Sequence, residues 1–204
     1  MIRSTQDDTA VSTAAALEVS DEDIEKALHR IFADSPCEVD SKELEVEGTF
    51  PSWLQGGALL RNGPGMFGTE SRRYNHVFDG LAKLTRYSLI EKDGEQRIKF
   101  SAKFIKSNMY KGIVEESTVP PSVTTGPVSP EWSTREGIWA AVNSKAFDNV
   151  PVNLHQLGGK EGPWVGVTDA PIAVEFDPVT LETKGRREYG PAGSAKARFT
   201  GARS

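Results

Sequence analysis

Midway along the chain, Ile98, Phe100, Ala102 and Phe104 alternate with Lys99, Ser101 and Lys103. A period of two puts the apolar residues on one face of an extended strand. Just upstream, Asp93-Gly94 is a hairpin dipeptide, because both of its positions tolerate positive φ. Leu81 to Ile90 precedes it as a longer strand candidate and natural partner. A sheet with one apolar face must be covered by another layer, so this hairpin constrains the rest of the fold.

Similar segments recur on both sides. Ala58-Leu59-Leu60 reads as a short strand, ended by the turn signal Asn62-Gly63-Pro64-Gly65. Pro120, Pro121, Pro127 and Pro130 mark 115–136 as a loop or insertion that breaks the strand rhythm. Strands resume at Ile138 to Val142 and Val152 to Leu157, followed by a turn over 158–162. Trp164 to Thr168 and Ile172 to Phe176 are two more, and Asp177-Pro178 opens another turn. The predicted body is all-β, with short, regularly spaced strands that suit a propeller or a sandwich.

A short helix precedes this body. Ser20 is placed to cap it, and Asp21, Glu22 and Asp23 favour its positive end. Ile24, Ala27, Leu28 and Ile31 follow at helical spacing, predicting a helix over 21–33 with His29 off the stripe, in solvent. The organisation read from the chain is a disordered tail and amphipathic helix over 1–37, a strand-rich body over 38–189, and a low-complexity end over 190–204. Residues 1–19 are polar and small.

Composition excludes several roles. A net charge of −5 argues against nucleic acid or an anionic surface held by general electrostatics. One cysteine, Cys37, rules out an intrachain disulfide framework and a cysteine zinc site, and reads as an ordinary thiol. Asp7 and Asp8 and the lack of a long apolar run exclude a secretory signal, and no segment has the length of a membrane span. A cytoplasmic protein is expected, with a plastid address and loose membrane contact left open.

Other chemistries find no support. Gly63-Pro64-Gly65 lacks the Lys-Ser/Thr of a phosphate loop, and Gly56-Gly57 precedes a strand rather than a helix. Ser101, Ser107 and Ser144 lack a nucleophile-elbow context. Asp79 and Asp169 stand alone and read as turn caps. Trp53, Trp132, Trp139 and Trp164 are scattered and read as packing residues.

Two segments carry a family resemblance. Leu59-Leu60-Arg61-Asn62-Gly63-Pro64-Gly65-Met66-Phe67 resembles the N-terminal signature of the carotenoid cleavage oxygenases. Tyr74-Asn75-His76-Val77-Phe78-Asp79-Gly80-Leu81-Ala82 follows at the family's spacing. Phe100 to Phe104 with Ser107 and Tyr110, Asn153 to Gly159, Asp169-Ala170-Pro171 and Phe176 to Thr183 resemble later family elements. The likeness runs from about Pro51 to about Arg187, and is nearest to the animal-type β-carotene and apocarotenoid oxygenases.

The resemblance implies a seven-bladed β-propeller, of which this chain supplies the first blades after its N-terminal helix. It implies one Fe(II) on the axis, held by four histidines, and an apolar tunnel for a carotenoid or apocarotenoid. Dioxygen would be split across one double bond, giving two carbonyl products. Imidazole suits Fe(II) with open positions for dioxygen.

The sequence also departs from that pattern. It holds only His29, His76 and His155. His76 reads as a structural residue of a tight turn capped by Asp79, and His155 as an ordinary strand position. The family's first ligand lies in a short Ala-His-Pro segment. The matching place holds Thr200-Gly201-Ala202-Arg203-Ser204, with Arg203 where the histidine is expected. A guanidinium has no lone pair to offer a metal. The four ligands are therefore expected beyond Ser204, with no catalytic, metal or cofactor residue within the chain. Residues 190–204 are read as foreign to the family. The alternative is a non-catalytic short isoform or a β-repeat binding module without a metal.

Overall fold

A computed structural model describes residues 20–122, 124–143, 147–188 and the backbone of 199–200. The chain divides into two units, Met1–Ile31 and Phe32–Ser204. The expected disorder of 1–19, and the low-complexity end apart from the backbone of 199–200, lie outside the described residues.

In the first unit, α1 spans Asp21–Ile31. Ser20 Oγ accepts from the Asp23 amide at 3.2 Å, the capping interaction the sequence suggested. Ile24, Leu28 and Ile31 form its apolar stripe and are each about half exposed.

The second unit is built on two antiparallel sheets. The first contains β1 (Val39–Leu44), β2 (Ala58–Pro64), β4 (Ala82–Lys92) and β5 (Glu95–Phe104), in the order β1-β5-β4-β2. The β4–β5 hairpin turns on Asp93 and Gly94, with φ of 54° and 77°, and pairs Lys92 with Glu95. The Asp-Gly signal thus sets the register of the longest ladder. Alternation along β5 ends in buried Ala102 and Phe104.

The second sheet contains β7 (Asn153–Gln156), β8 (Trp164–Val167), β9 (Ile172–Phe176), β10 (Thr183–Glu188) and β11 (Phe199–Thr200), in the order β11-β10-β9-β8-β7. Its centre, β9, is buried along its whole length. Ala82 and Leu84 of the first sheet pack with Val150, Val174, Phe176 and Leu181 to form the core between the sheets. A fully buried side chain of this size contributes about 1.5–3 kcal/mol. On β8, a Cβ at Gly166 would lie 2.9 Å from the side chains of both Ile105 and Val150, so these would have to shift to admit one.

A second core closes one end of the unit. Tyr74, Leu81, Phe104, Met109, Tyr110 and Ile113 pack with Val119 and Val128, and Phe147 touches both cores. The short β3 (Arg73–Tyr74) and β6 (Val128–Ser129) pair across it. The Ser129–Pro130 peptide is cis.

Three sequence expectations change. Asn62, Gly63 and Pro64 do not turn but continue β2, paired with Leu84, Lys83 and Ala82 of β4. β2 is an edge strand, where the missing proline amide costs no ladder bond. The strand expected at Ile138 to Val142 is a helix, α3 (Thr134–Val142). Its start is a capping box, with Glu136 N donating to Ser133 Oγ at 3.3 Å and Ser133 N to Glu136 Oε2 at 2.8 Å. Local capping overrides the β-propensity of Ile138, Trp139 and Val142.

The segment from Phe176 to Thr183 holds the turn expected at Asp177-Pro178 and leads into strand β10. Its Asp177 turns the chain, accepting from the Val179 and Thr180 amides at 2.9 and 3.0 Å. Third, the body is mostly sheet rather than all sheet. Besides α3, a helical turn α2 (Asn108–Tyr110) continues into a π-helical turn over Lys111–Glu115.

Candidate functional site

The two signature segments come together in space. Gly65 N donates to Leu81 O at 2.8 Å, Leu81 N to Met66 O at 2.7 Å, and Tyr74 N to Phe67 O at 2.8 Å. Asp34 accepts from the Phe67 amide at 2.8 Å and takes both arms of the Arg73 guanidinium at 2.7 and 3.1 Å. Burial alone would raise the Asp34 carboxyl, but Arg73 and the Phe67 amide outweigh it and hold it below its usual range.

Asp79 does not cap its own turn. It is 2% exposed and its two oxygens accept from the Thr125 and Gly126 amides at 2.7 and 2.9 Å. It therefore clamps the proline-rich segment onto the signature. The local cap is His76, whose Nδ1 accepts from Phe78 N at 3.3 Å. A Cβ on Gly126 would come 2.6 Å from His76 Cβ, so this clamp also needs a glycine. Asp169 is exposed on the bend after β8.

Three consecutive residues that the sequence reading passed over, a few positions before β7, bind the helical turn α2 and the signature. Asp148 accepts from the Asn108 and Met109 amides at 2.6 and 3.2 Å. Asn149 accepts from Ala82 N at 2.9 Å and donates to Gly80 O at 2.8 Å. The Val150 carbonyl accepts from Asn62 Nδ2 at 2.6 Å. Burial pushes the Asp148 carboxyl up despite its two amide donors. The available signal was an Asp-Asn pair set between apolar Phe147 and Val150, since buried polar side chains must be hydrogen-bonded.

Lys83 was missed as well. It is 7% exposed, donates to the Ser35 and Cys37 carbonyls at 2.5 and 2.7 Å, and lies 4.9 Å from the Phe104 ring centre. Burial lowers its amine, yet these acceptors suit an ammonium, so its role is to tie residues 35–37 to the sheet. Cys37 itself is free and exposed.

Beside the signature lies a mostly apolar cleft of about 500 Å³, lined by Met66, Phe104, Tyr110, Ile113 and Val114 and also by polar Thr69, Glu70, Ser71 and Ser117. The hydroxyl of neighbouring Tyr74 and the Trp132 Nε1 are buried without a hydrogen-bond partner among the described residues. Burial, and then the nearby Asp79 charge, raise the Tyr74 hydroxyl.

The three histidines lie on three separate elements. His29 is exposed on α1, His76 caps its turn, and His155 is exposed on β7 opposite Val165. Among the described residues no three His, Cys, Asp or Glu side chains could hold a metal ion together. These residues do not fit an iron centre. Arg203 lies outside the described residues. Among those residues, no helix is long and apolar enough to cross a membrane.

Residues 32–202 match the family described as retinal pigment epithelial membrane protein. The chain belongs to this family. It is the carotenoid cleavage oxygenase family that the two signatures resemble, so an unrelated β-repeat module is set aside. The chain is 32% identical over 155 residues to the β,β-carotene 15,15′-dioxygenase of Rattus norvegicus, covering 71% of this chain and 25% of that enzyme. It is 33% identical over 146 residues to the carotenoid isomerooxygenase of Galleria mellonella, covering 70% of this chain and 27% of that protein. A mutant Synechocystis apocarotenoid oxygenase shares the fold, with a TM-score of 0.62 at 22% identity over 86% of this chain and 34% of that one. A cobalt-substituted form of that oxygenase gives a TM-score of 0.55 at 24% identity, over 78% and 31% of the two chains. The chain thus spans about a quarter of the length of the curated relatives it matches.

Proposed function

We propose that this chain is the N-terminal part of an Fe(II)-dependent dioxygenase that cleaves a C=C bond of a carotenoid or apocarotenoid. The observation that carries the reading is the family match over 32–202, with a carotenoid dioxygenase 32% identical across 71% of the chain. In this reading the two packed sheets are the first blades of a seven-bladed propeller. The four histidines that hold iron lie beyond Ser204, and the 204 residues alone are inactive. A metal-substituted relative supports a metal cofactor. Iron, when bound, would supply the site that activates dioxygen.

What this chain contributes is scaffold and apolar surface. The apolar wall of the cleft, at Phe104, Tyr110 and Ile113, suits a stretch of polyene, although Glu70 also lines it. On α3, Ile138, Trp139 and Val142 share one face and are 62, 48 and 76% exposed. A face of this kind supports peripheral contact with the lipid in which carotenoids dissolve.

The test begins with the mature message read past the codon for Ser204. An open frame encoding an Ala-His-Pro segment and three further histidines is expected. The protein it encodes, loaded with Fe(II), should convert β-carotene or an apocarotenal to shorter aldehydes. Stoichiometric iron and polyene cleavage by the purified 204-residue chain would overturn the placement of the ligands. A message that stops at Ser204 would leave this product without the activity.

A further inference from the structure

Where β5 runs out and β10 begins, the two sheets leave a cleft of about 420 Å³, apart from the apolar cleft and the signature segments. Its charged lining is Lys106, Lys111, Lys184 and Arg186, with Asp148 as the one carboxylate. Four cations to one anion is a local excess of positive charge in a chain whose net charge is −5.

The cleft is held in shape from both sheets. Lys106 N donates to Thr183 Oγ1 at 2.9 Å, fixing the turn after β5 to the start of β10. Asp148 is 3% exposed and already engaged by the Asn108 and Met109 amides, so its charge is spent on the helical turn as well as on Arg186. Lys184 meets Asp177 at 3.4 Å in a largely exposed pair, which neutralises little. Lys106 and Lys111 form no ion pair among the described residues. Ammonium groups brought together without counter-charge repel one another, and an anion between them relieves that repulsion.

We propose that this cleft binds a phosphate group. A single carboxylate would offset one of the excess charges. A phosphate carries more charge and several acceptor oxygens, and a guanidinium fork flanked by ammonium groups matches it. The volume falls in the range of small-molecule sites, which suits a phosphate carried on a larger ligand. The phosphate is that of a soluble ester or of a lipid headgroup. The inference does not depend on iron or on polyene cleavage.

The test is equilibrium dialysis of the full chain against radiolabelled inorganic phosphate at fixed ionic strength. Saturable binding at one site is expected. The double variant K106Q/K111Q should bind about tenfold more weakly or worse, since each lost charge-assisted hydrogen bond matters at this scale. K160Q, in the exposed turn after β7, should bind as the parent does. If the double variant does not fold by circular dichroism, K111Q alone serves in its place. Absence of saturable binding, or equal binding by parent and variant, overturns the proposal. Phosphatidylcholine vesicles doped with phosphatidic acid separate the sources. Weaker vesicle binding by the double variant identifies a lipid headgroup, whereas unchanged vesicle binding with lost phosphate binding identifies a soluble ester.

Discussion

Asn149 and Ala82 lie 67 positions apart, and the Asn149 side-chain oxygen accepts from the Ala82 amide at 2.9 Å. Its nitrogen donates to the Gly80 carbonyl at 2.8 Å, so one buried side chain satisfies both groups where the second signature becomes strand β4. The neighbouring Val150 belongs to the core between the sheets, so this contact joins the signature to that core.

Asn149→Ala should therefore destabilise the chain by about 2–6 kcal/mol. It leaves a buried amide and a buried carbonyl unpaired, each costing about 1–3 kcal/mol. Urea unfolding followed by tryptophan fluorescence would measure this. A change within about 0.5 kcal/mol, the usual range of a neutral surface substitution, would show that water or a shifted backbone replaces both bonds.

The start of α3 should be sensitive to acid. Hydrogen bonds from Arg72, then from the Ser133 hydroxyl and amide, lower the Glu136 carboxyl from an ordinary 4.5 to about 2. A depressed native pKa contributes stability above the unfolded value, and that contribution is lost as pH falls from 4.5 toward 2. Glu136→Gln should flatten the stability curve across this window and leave its shape above pH 6 unchanged. Denaturant titrations of parent and variant at intervals through the window are the measurement. Parallel curves would mean that the pair with Arg72 does not persist in solution.

The exposed face of α3 gives a third expectation. Replacing Ile138, Trp139 and Val142 together by serine should reduce partition into phosphatidylcholine vesicles by tenfold or more, as burial of each such side chain is worth about 1.5–3 kcal/mol. The urea midpoint should hardly move, because none of the three is buried. Equal sedimentation of parent and variant with vesicles would remove the lipid contact from the proposed function.

The sequence alone determined the elements whose signals are local. Asp93-Gly94 fixed a hairpin and its register because both residues accept the positive φ that a two-residue turn demands. Alternation along 98–104 named the buried face of β5, and Ser20 marked the start of α1. The two signatures named the family, although they say nothing by themselves of which groups touch. A helix start at Ser133 was equally legible, since Ser-x-x-Glu is a local pattern, but it was masked by the β-forming residues after it.

Only the tertiary structure decided the rest. Asn62-Gly63-Pro64 is a turn by local preference, but seven paired positions with β4 hold it extended at a sheet edge where the proline does no harm. Asp79 reads locally as the cap of its own turn, but its partners lie 46 and 47 residues away. Asn149 and Asp148 find theirs at separations of 39 to 70 residues, and the cations of the basic cleft meet from segments just as distant in sequence. Such groups carry no local signal, because what makes a buried carboxylate or amide structural is the unpaired backbone group that folding brings beside it.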